Sequence, residues 1–172
     1  QEITITKTFF NNIKVQGSDM NSCNAIYIDS AKSIVHIESC EFVDCGSSSY
    51  VISSYCQHLI IENTTIKFTE TSKTTSSCQG ICIKCKSHFE LINSSISNCI
   101  SSQEGGAFEY ISMNSTNSSE EFILIKNCHF KANKAPFNGG AIAIQSFGEI
   151  KIINSTFEEN VANYKQNGSG SK

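Results

Sequence analysis

Two short alternating apolar runs, joined by a turn and closed by a large hydrophobic residue, recur along the whole chain, and this repeat constrains the fold more than any other feature. The closing residues are Phe10, Phe42, Ile66, Ile96, Phe130 and Phe157, spaced 32, 24, 30, 34 and 27 residues apart by difference of their numbers. Seven and five residues before each stands an apolar pair: Ile3/Ile5, Val35/Ile37, Leu59/Ile61, Phe89/Leu91, Ile123/Ile125 and Ile150/Ile152. Alternation at period two is the pattern of a half-buried strand. A second run lies upstream of each of the last five, as in Ala25-Ile26-Tyr27-Ile28 or Ala141-Ile142-Ala143-Ile144.

One copy cannot bury its apolar face alone, whereas stacked copies can. A period of about 25–30 residues is too short for two helices and their loops, and helical periodicity is scarce. The expected fold is all-β: a right-handed single-stranded parallel β-helix of about six rungs, with three short strands per rung. At the ~4.8 Å strand spacing its length is on the order of 25–30 Å. Residues 1–165 form the expected domain, an excerpt of a longer rod or a chain that has lost a leader. Residues 166–172, Gln-Asn-Gly-Ser-Gly-Ser-Lys, read as a flexible tail or linker.

Asparagine recurs three residues before the anchor, at Asn63, Asn93, Asn127 and Asn154. Continuing the alternation from the apolar pair turns this column inward, as a stacked amide ladder. Three of its members also head N-x-S/T sequons, and a buried amide cannot carry a glycan. Glycosylation is therefore expected at Asn114, Asn117 and Asn167 instead. Asn114 and Asn117 lie in a polar insertion, Ser112 to Glu121, that leaves the rod between two strands.

The nine cysteines and dense sequons favour an oxidising, extracellular or cell-surface setting. Cys56 and Cys85 follow the first strand of adjacent rungs, so stacking brings them within disulfide reach. Cys40 and Cys128 share an offset three rungs apart and do not pair, nor do Cys45 and Cys99, two rungs apart. Cys78, Cys82 and Cys85 spell C-x3-C-x2-C, but Cys82 sits between two isoleucines on a strand, where no cluster-wrapping loop can form. His36, His58, His88 and His129 do not converge. No metal or cofactor is expected.

Net charge is −3 with scattered signs, so no footprint for nucleic acid is present. No apolar run reaches the ~20 residues of a membrane-spanning helix. Hydrolysis of a glycoside needs two carboxyl groups about 5–9.5 Å apart. Asp29 and Asp44 fall on different faces of one rung and Asp19 in a loop, Glu109 is flanked by Cys82 and Ala143, and Glu38, Glu62 and Glu90 form no defensible pair. There is no arginine to clamp a uronate. The chain reads as a non-enzyme.

Gly139-Gly140-Ala141-Ile142 with Phe157-Glu158-Glu159-Asn160, and Gly105-Gly106-Ala107-Phe108 with Phe130-Lys131-Ala132-Asn133, resemble the GGA(I/L/V) and FxxN repeats of polymorphic outer-membrane proteins and similar protist surface proteins. The resemblance implies a pectin-lyase-like β-helix on a cell surface, often adhesive. The expected role is a structural or adhesive module, with a carbohydrate-active or carbohydrate-binding β-helix as the alternative. Its expected partners are other copies or neighbouring segments end to end, and a carbohydrate or host protein.

Overall fold

A computed structural model describes residues 1–13, 23–46, 50–69, 81–84, 88–101, 104–112, 121–146 and 148–164. Among these there is no helix, and every paired strand runs parallel to its neighbour. The chain is a parallel β-solenoid.

Its strands, in chain order, are β1 (Glu2–Thr6), β2 (Phe9–Asn11), β3 (Cys23–Glu38), β4 (Glu41–Val43), β5 (Tyr50–Glu62), β6 (Thr65–Lys67), β7 (Ile81–Lys84), β8 (His88–Ile92), β9 (Ser95–Ser97), β10 (Phe108–Ile111), β11 (Phe122–Lys126), β12 (His129–Lys131), β13 (Ile142–Gln145), β14 (Glu149–Ile153) and β15 (Thr156–Glu158). The three-residue strands stack as one six-stranded sheet, β15-β12-β9-β6-β4-β2. The others form a nine-stranded sheet. The long β5 links its two limbs, pairing with β7 through its first half and with β8 through its second.

Two expectations need correction. Three short strands per rung do not hold in the second and third layers, where β3 and β5 run the first two strands together through bulged, continuous backbone. The rung count also differs slightly from the expected six or so. About four turns are enclosed, and among the described residues the first and last layers each pair with a neighbour on one side only.

The register is strict. Phe10, Phe42, Ile66, Ile96, Phe130 and Phe157 pair in one column through the six-stranded sheet. The Phe10 and Phe42 rings stack at 4.5 Å, and those of Phe130 and Phe157 at 4.9 Å. Val35, Ile37, Leu59, Ile61, Phe89, Leu91, Ile123 and Ile125 line the interior opposite. Burial of these branched and aromatic side chains, layer on layer, is the main stabilising term.

Sharp corners let so short a repeat close. Residues at the third position before the anchor all have positive φ: Lys7 (49°), Asn63 (50°), Asn93 (48°), Asn127 (54°) and Asn154 (48°), with Ser39 at 54°. A second column of corners lies two residues after it, at Asn12, Asp44, Asn98, Ala132 and Glu159. Asparagine tolerates the left-handed region better than most residues, which explains its recurrence there.

The glycine pairs have a separate cause. Gly105 and Gly139 adopt φ of +62°, while a Cβ on Gly106 would stand 2.1 Å from the Gly140 carbonyl oxygen in the layer above. The first glycine of each pair makes a turn, and the second lets two layers approach.

Candidate functional site

The asparagine column does not point inward. Asn63, Asn93, Asn127 and Asn154 are all exposed. Each occupies a left-handed corner, so the strand alternation ends one residue earlier and restarts one residue later. Only one amide bond within the column is seen, Asn127 Nδ2 donating to Asn93 Oδ1 at 3.0 Å on the surface. The argument that denied Asn63, Asn93 and Asn154 a glycan therefore fails. The proposed acceptors Asn114, Asn117 and Asn167 lie outside the described residues.

The inward ladders stand on either side. One residue after the corner come Thr8, Cys40, Thr64, Ser94, Cys128 and Ser155. Their hydroxyls and thiols donate to the carbonyl two residues back, as Thr64 Oγ1 does to Glu62 O at 2.9 Å and Ser94 Oγ to Ile92 O at 2.7 Å. Hydroxyls of this column also accept from the amide of the layer below: Thr64 Oγ1 from Cys40 N–H at 3.3 Å, Ser94 Oγ from Thr64 N–H at 3.1 Å, and Ser155 Oγ from Cys128 N–H at 3.1 Å. The second ladder lies three residues after the anchor. Asn133 is fully buried, accepts from Cys99 N–H at 3.0 Å and donates to Ile96 O at 3.0 Å and Asn160 Oδ1 at 2.9 Å. A buried amide ladder exists, but it is built on the asparagine of the FxxN repeat.

These ladders also account for much of the cysteine content. Cys40 and Cys128 occupy hydroxyl positions, and their thiols donate to Glu38 O and Lys126 O. Cys40, Cys99 and Cys128 are buried free thiols. Burial pushes the Cys99 thiol far above its ordinary value, and that of Cys128 upward despite two backbone hydrogen bonds. Cys56 is buried, and Cys85, its expected disulfide partner, lies outside the described residues. Cys78 lies outside them as well, so of the C-x3-C-x2-C stretch only the strand Ile81–Lys84 is described.

On the outer face the histidines are closer than their strand positions suggest. His58 and His88 face each other in register across β5 and β8, with rings 5.5 Å apart, because both stand at the same offset from the anchor. His58 Nε2 lies 3.1 Å from Glu90 Oε1. Burial lowers the affinity of His58 for a proton, Glu90 opposes this, and His88 and His36 add to it. His36 sits 3.9 Å from Glu2, and His129 3.7 Å from Glu158. No three His, Cys, Asp or Glu side chains among the described residues are placed to hold a metal ion.

Among the described residues two carboxylates are buried. Glu109, flanked in register by Cys82 and Ala143, accepts from the Tyr50 hydroxyl at 3.0 Å. Glu121 accepts from Ser112 and, at 2.6 Å, from Ser146, which knits the base of the long insertion to the next layer. Other carboxylates strut neighbouring layers: Glu41 with Lys67 at 2.6 Å and Glu158 with Lys131 at 3.7 Å. Tyr27 and Tyr55 stand exposed on the outer face, with Asp29 opposite Tyr55 in register.

The final layer is bare. Ile150, Ile152 and Phe157 are 44%, 47% and 45% exposed, while their equivalents one layer down, Ile123, Ile125 and Phe130, are 0% exposed. Compared with known proteins, the chain matches no family model, no curated protein and no solved structure. Among the described residues no helix is long and apolar enough to cross a membrane.

Proposed function

We propose that this chain is a non-catalytic β-helical module, displayed outside the cell, that serves as one segment of a longer rod. The bare final layer carries this reading. Interior columns that are fully buried below it emerge at Ile150, Ile152 and Phe157 with nearly half their surface open, where a further layer would cover them. The carboxylates support a structural role, since Glu41, Glu90, Glu121 and Glu158 are each engaged by a neighbouring layer, and Glu109 by Tyr50 two layers away. The GGA and FxxN likeness to polymorphic outer-membrane proteins supports surface display and adhesion. Three of the six sequons take their asparagine from the corner column and several cysteines fill the ladder columns, so the extracellular assignment rests on the insertion with Asn114 and Asn117. Intact mass before and after glycosidase treatment of protein from its native source tests that assignment. Incubation with a panel of neutral and acidic polysaccharides tests the rest, and release of new sugar ends would overturn it.

A second reading has one observation in its favour. Tyr27 and Tyr55, 64% and 37% exposed, sit on diagonal positions of adjacent outer strands, an arrangement that suits stacking against sugar rings. Loss of glycan-array binding in Tyr27→Ala would support a carbohydrate-binding face on the rod.

A further inference from the structure

We infer that Asn63, Asn93 and Asn154 carry N-linked glycans, so that a stripe of sugar runs along one edge of the rod. The inference rests on the extracellular reading above and assigns a modification site.

Position selects these three. Among the described residues, N-x-S/T sequons fall on the first-corner column alone: Asn63-Thr64-Thr65, Asn93-Ser94-Ser95 and Asn154-Ser155-Thr156. The asparagines of the second corner and the interior ladder, Asn12, Asn98, Asn133 and Asn160, head none. The fold accounts for only part of each sequon. The left-handed corner favours asparagine, and the ladder takes a hydroxyl or thiol at the next residue. The residue after that opens a short strand and forms a column of its own, Phe9, Glu41, Thr65, Ser95, His129 and Thr156. An aromatic ring, a carboxylate and an imidazole all fit this column, so packing does not dictate its hydroxyls. Ser95 Oγ donates to Thr65 Oγ1 at 3.3 Å, whereas Thr156 has His129 as its neighbour. Each hydroxyl of the column nevertheless follows an asparagine corner, while the Lys7 and Ser39 corners are followed by Phe9 and Glu41.

The amides are open to the bond. A glycan is joined through Nδ2. Asn93 accepts from Asn127 through Oδ1, so that bond does not engage the Asn93 Nδ2. Asn127, which heads no sequon, is the member whose Nδ2 is committed to it. Asn63 and Asn93 lie in layers paired on both sides, so their exposure comes from the corner and not from an end of the chain. Fully buried Asn133 is the contrast, since its Nδ2 is held by Ile96 O and Asn160 Oδ1.

The transfer forms a bond between Nδ2 and C1 of the first sugar. It breaks the bond from C1 to the oxygen of a lipid-linked diphosphate, which leaves as the lipid diphosphate, and Nδ2 gives up one proton. The cell supplies that donor and its transferase, and the chain supplies the acceptor. The three corners lie where the nine-stranded sheet passes to the six-stranded one, between β5 and β6, β8 and β9, and β14 and β15. Asn63 and Asn93 are one layer apart, about 4.8 Å, and Asn154 stands two layers further, about 10 Å. Tyr27 and Tyr55 stand on the first-strand side of the nine-stranded sheet, clear of the stripe.

Peptide mapping of the chain purified from its native source tests this. Enzymatic release of N-glycans in heavy-oxygen water converts each occupied asparagine to a labelled aspartate. Label is expected at Asn63, Asn93 and Asn154 and not at Asn127. His129→Thr, made in the same cells, should add one glycan at Asn127 and keep the circular dichroism spectrum of the wild type. Loss of that spectrum in the glycosylated variant would overturn the claim that the corner tolerates sugar. Bare Asn63 and Asn93 on protein taken from the cell surface would overturn the inference and leave the extracellular reading in place, and so would label confined to Asn114 and Asn117. Protein found only inside its native cells would overturn both.

Discussion

Asn133 and Asn127 sit six residues apart in one layer and should respond very differently to truncation. Asn133→Ala removes three side-chain hydrogen bonds at full burial, those to Cys99 N, Ile96 O and Asn160 Oδ1. At roughly 1 kcal/mol net each, with about 1 kcal/mol more for the Cys99 N–H left dry, the loss is about 4 kcal/mol. Asn127→Ala gives up one exposed bond and forces alanine into a left-handed corner, for about 1–2 kcal/mol. For a domain of this size the first should lower Tm by about 8–16 °C and the second by about 2–8 °C. Asn127→Gly should be nearly silent, because glycine accepts the corner without strain. Urea and thermal unfolding followed by circular dichroism read these differences. Amide exchange at Cys99, accelerated by Asn133→Ala alone, places the defect. An equal or larger cost for Asn127→Ala would refute the assignment of the interior ladder.

Gly106→Ala should destabilise severely, on the order of 3 kcal/mol or more, since the added Cβ meets backbone of the next layer and not a movable side chain; a melting curve like the wild type's would contradict the close layer approach. His58 is held below its ordinary value in the fold, so the unfolded chain binds its proton more readily. Stability should therefore fall as pH drops below about 6.5 and level off above it, a slope that His58→Gln should flatten in pH-dependent unfolding. Cys40, Cys99 and Cys128 should resist a small thiol reagent in the native protein and react on denaturation; rapid native labelling of all three would contradict the thiol ladder.

The repeat was legible because solenoid layers impose the same inward positions on every copy. Val35/Ile37 through Ile150/Ile152 and the anchor column could be aligned by eye. The failure at Asn63, Asn93, Asn127 and Asn154 has a specific cause. Parity counting assumes extended backbone, and a single left-handed residue resets it. The clue was present in the next position, where Thr, Ser and Cys interchange at one offset, as only a small hydrogen-bonding side chain inside a turn requires. The same equivalence marks Cys40 and Cys128 as hydroxyl substitutes. The Tyr50–Glu109 pair and the Ser112–Glu121–Ser146 knot were not legible, because each joins layers through outward or turn positions that carry no periodicity.

The account stands on the anchor column, and nuclear Overhauser contacts among its side chains test it most directly. Each of Phe42, Ile66, Ile96 and Phe130 should show anchor contacts to its immediate neighbours in the order Phe10, Phe42, Ile66, Ile96, Phe130, Phe157, and to no other anchor. A strong contact between anchors two or more places apart, or none between Ile66 and Ile96, would contradict it.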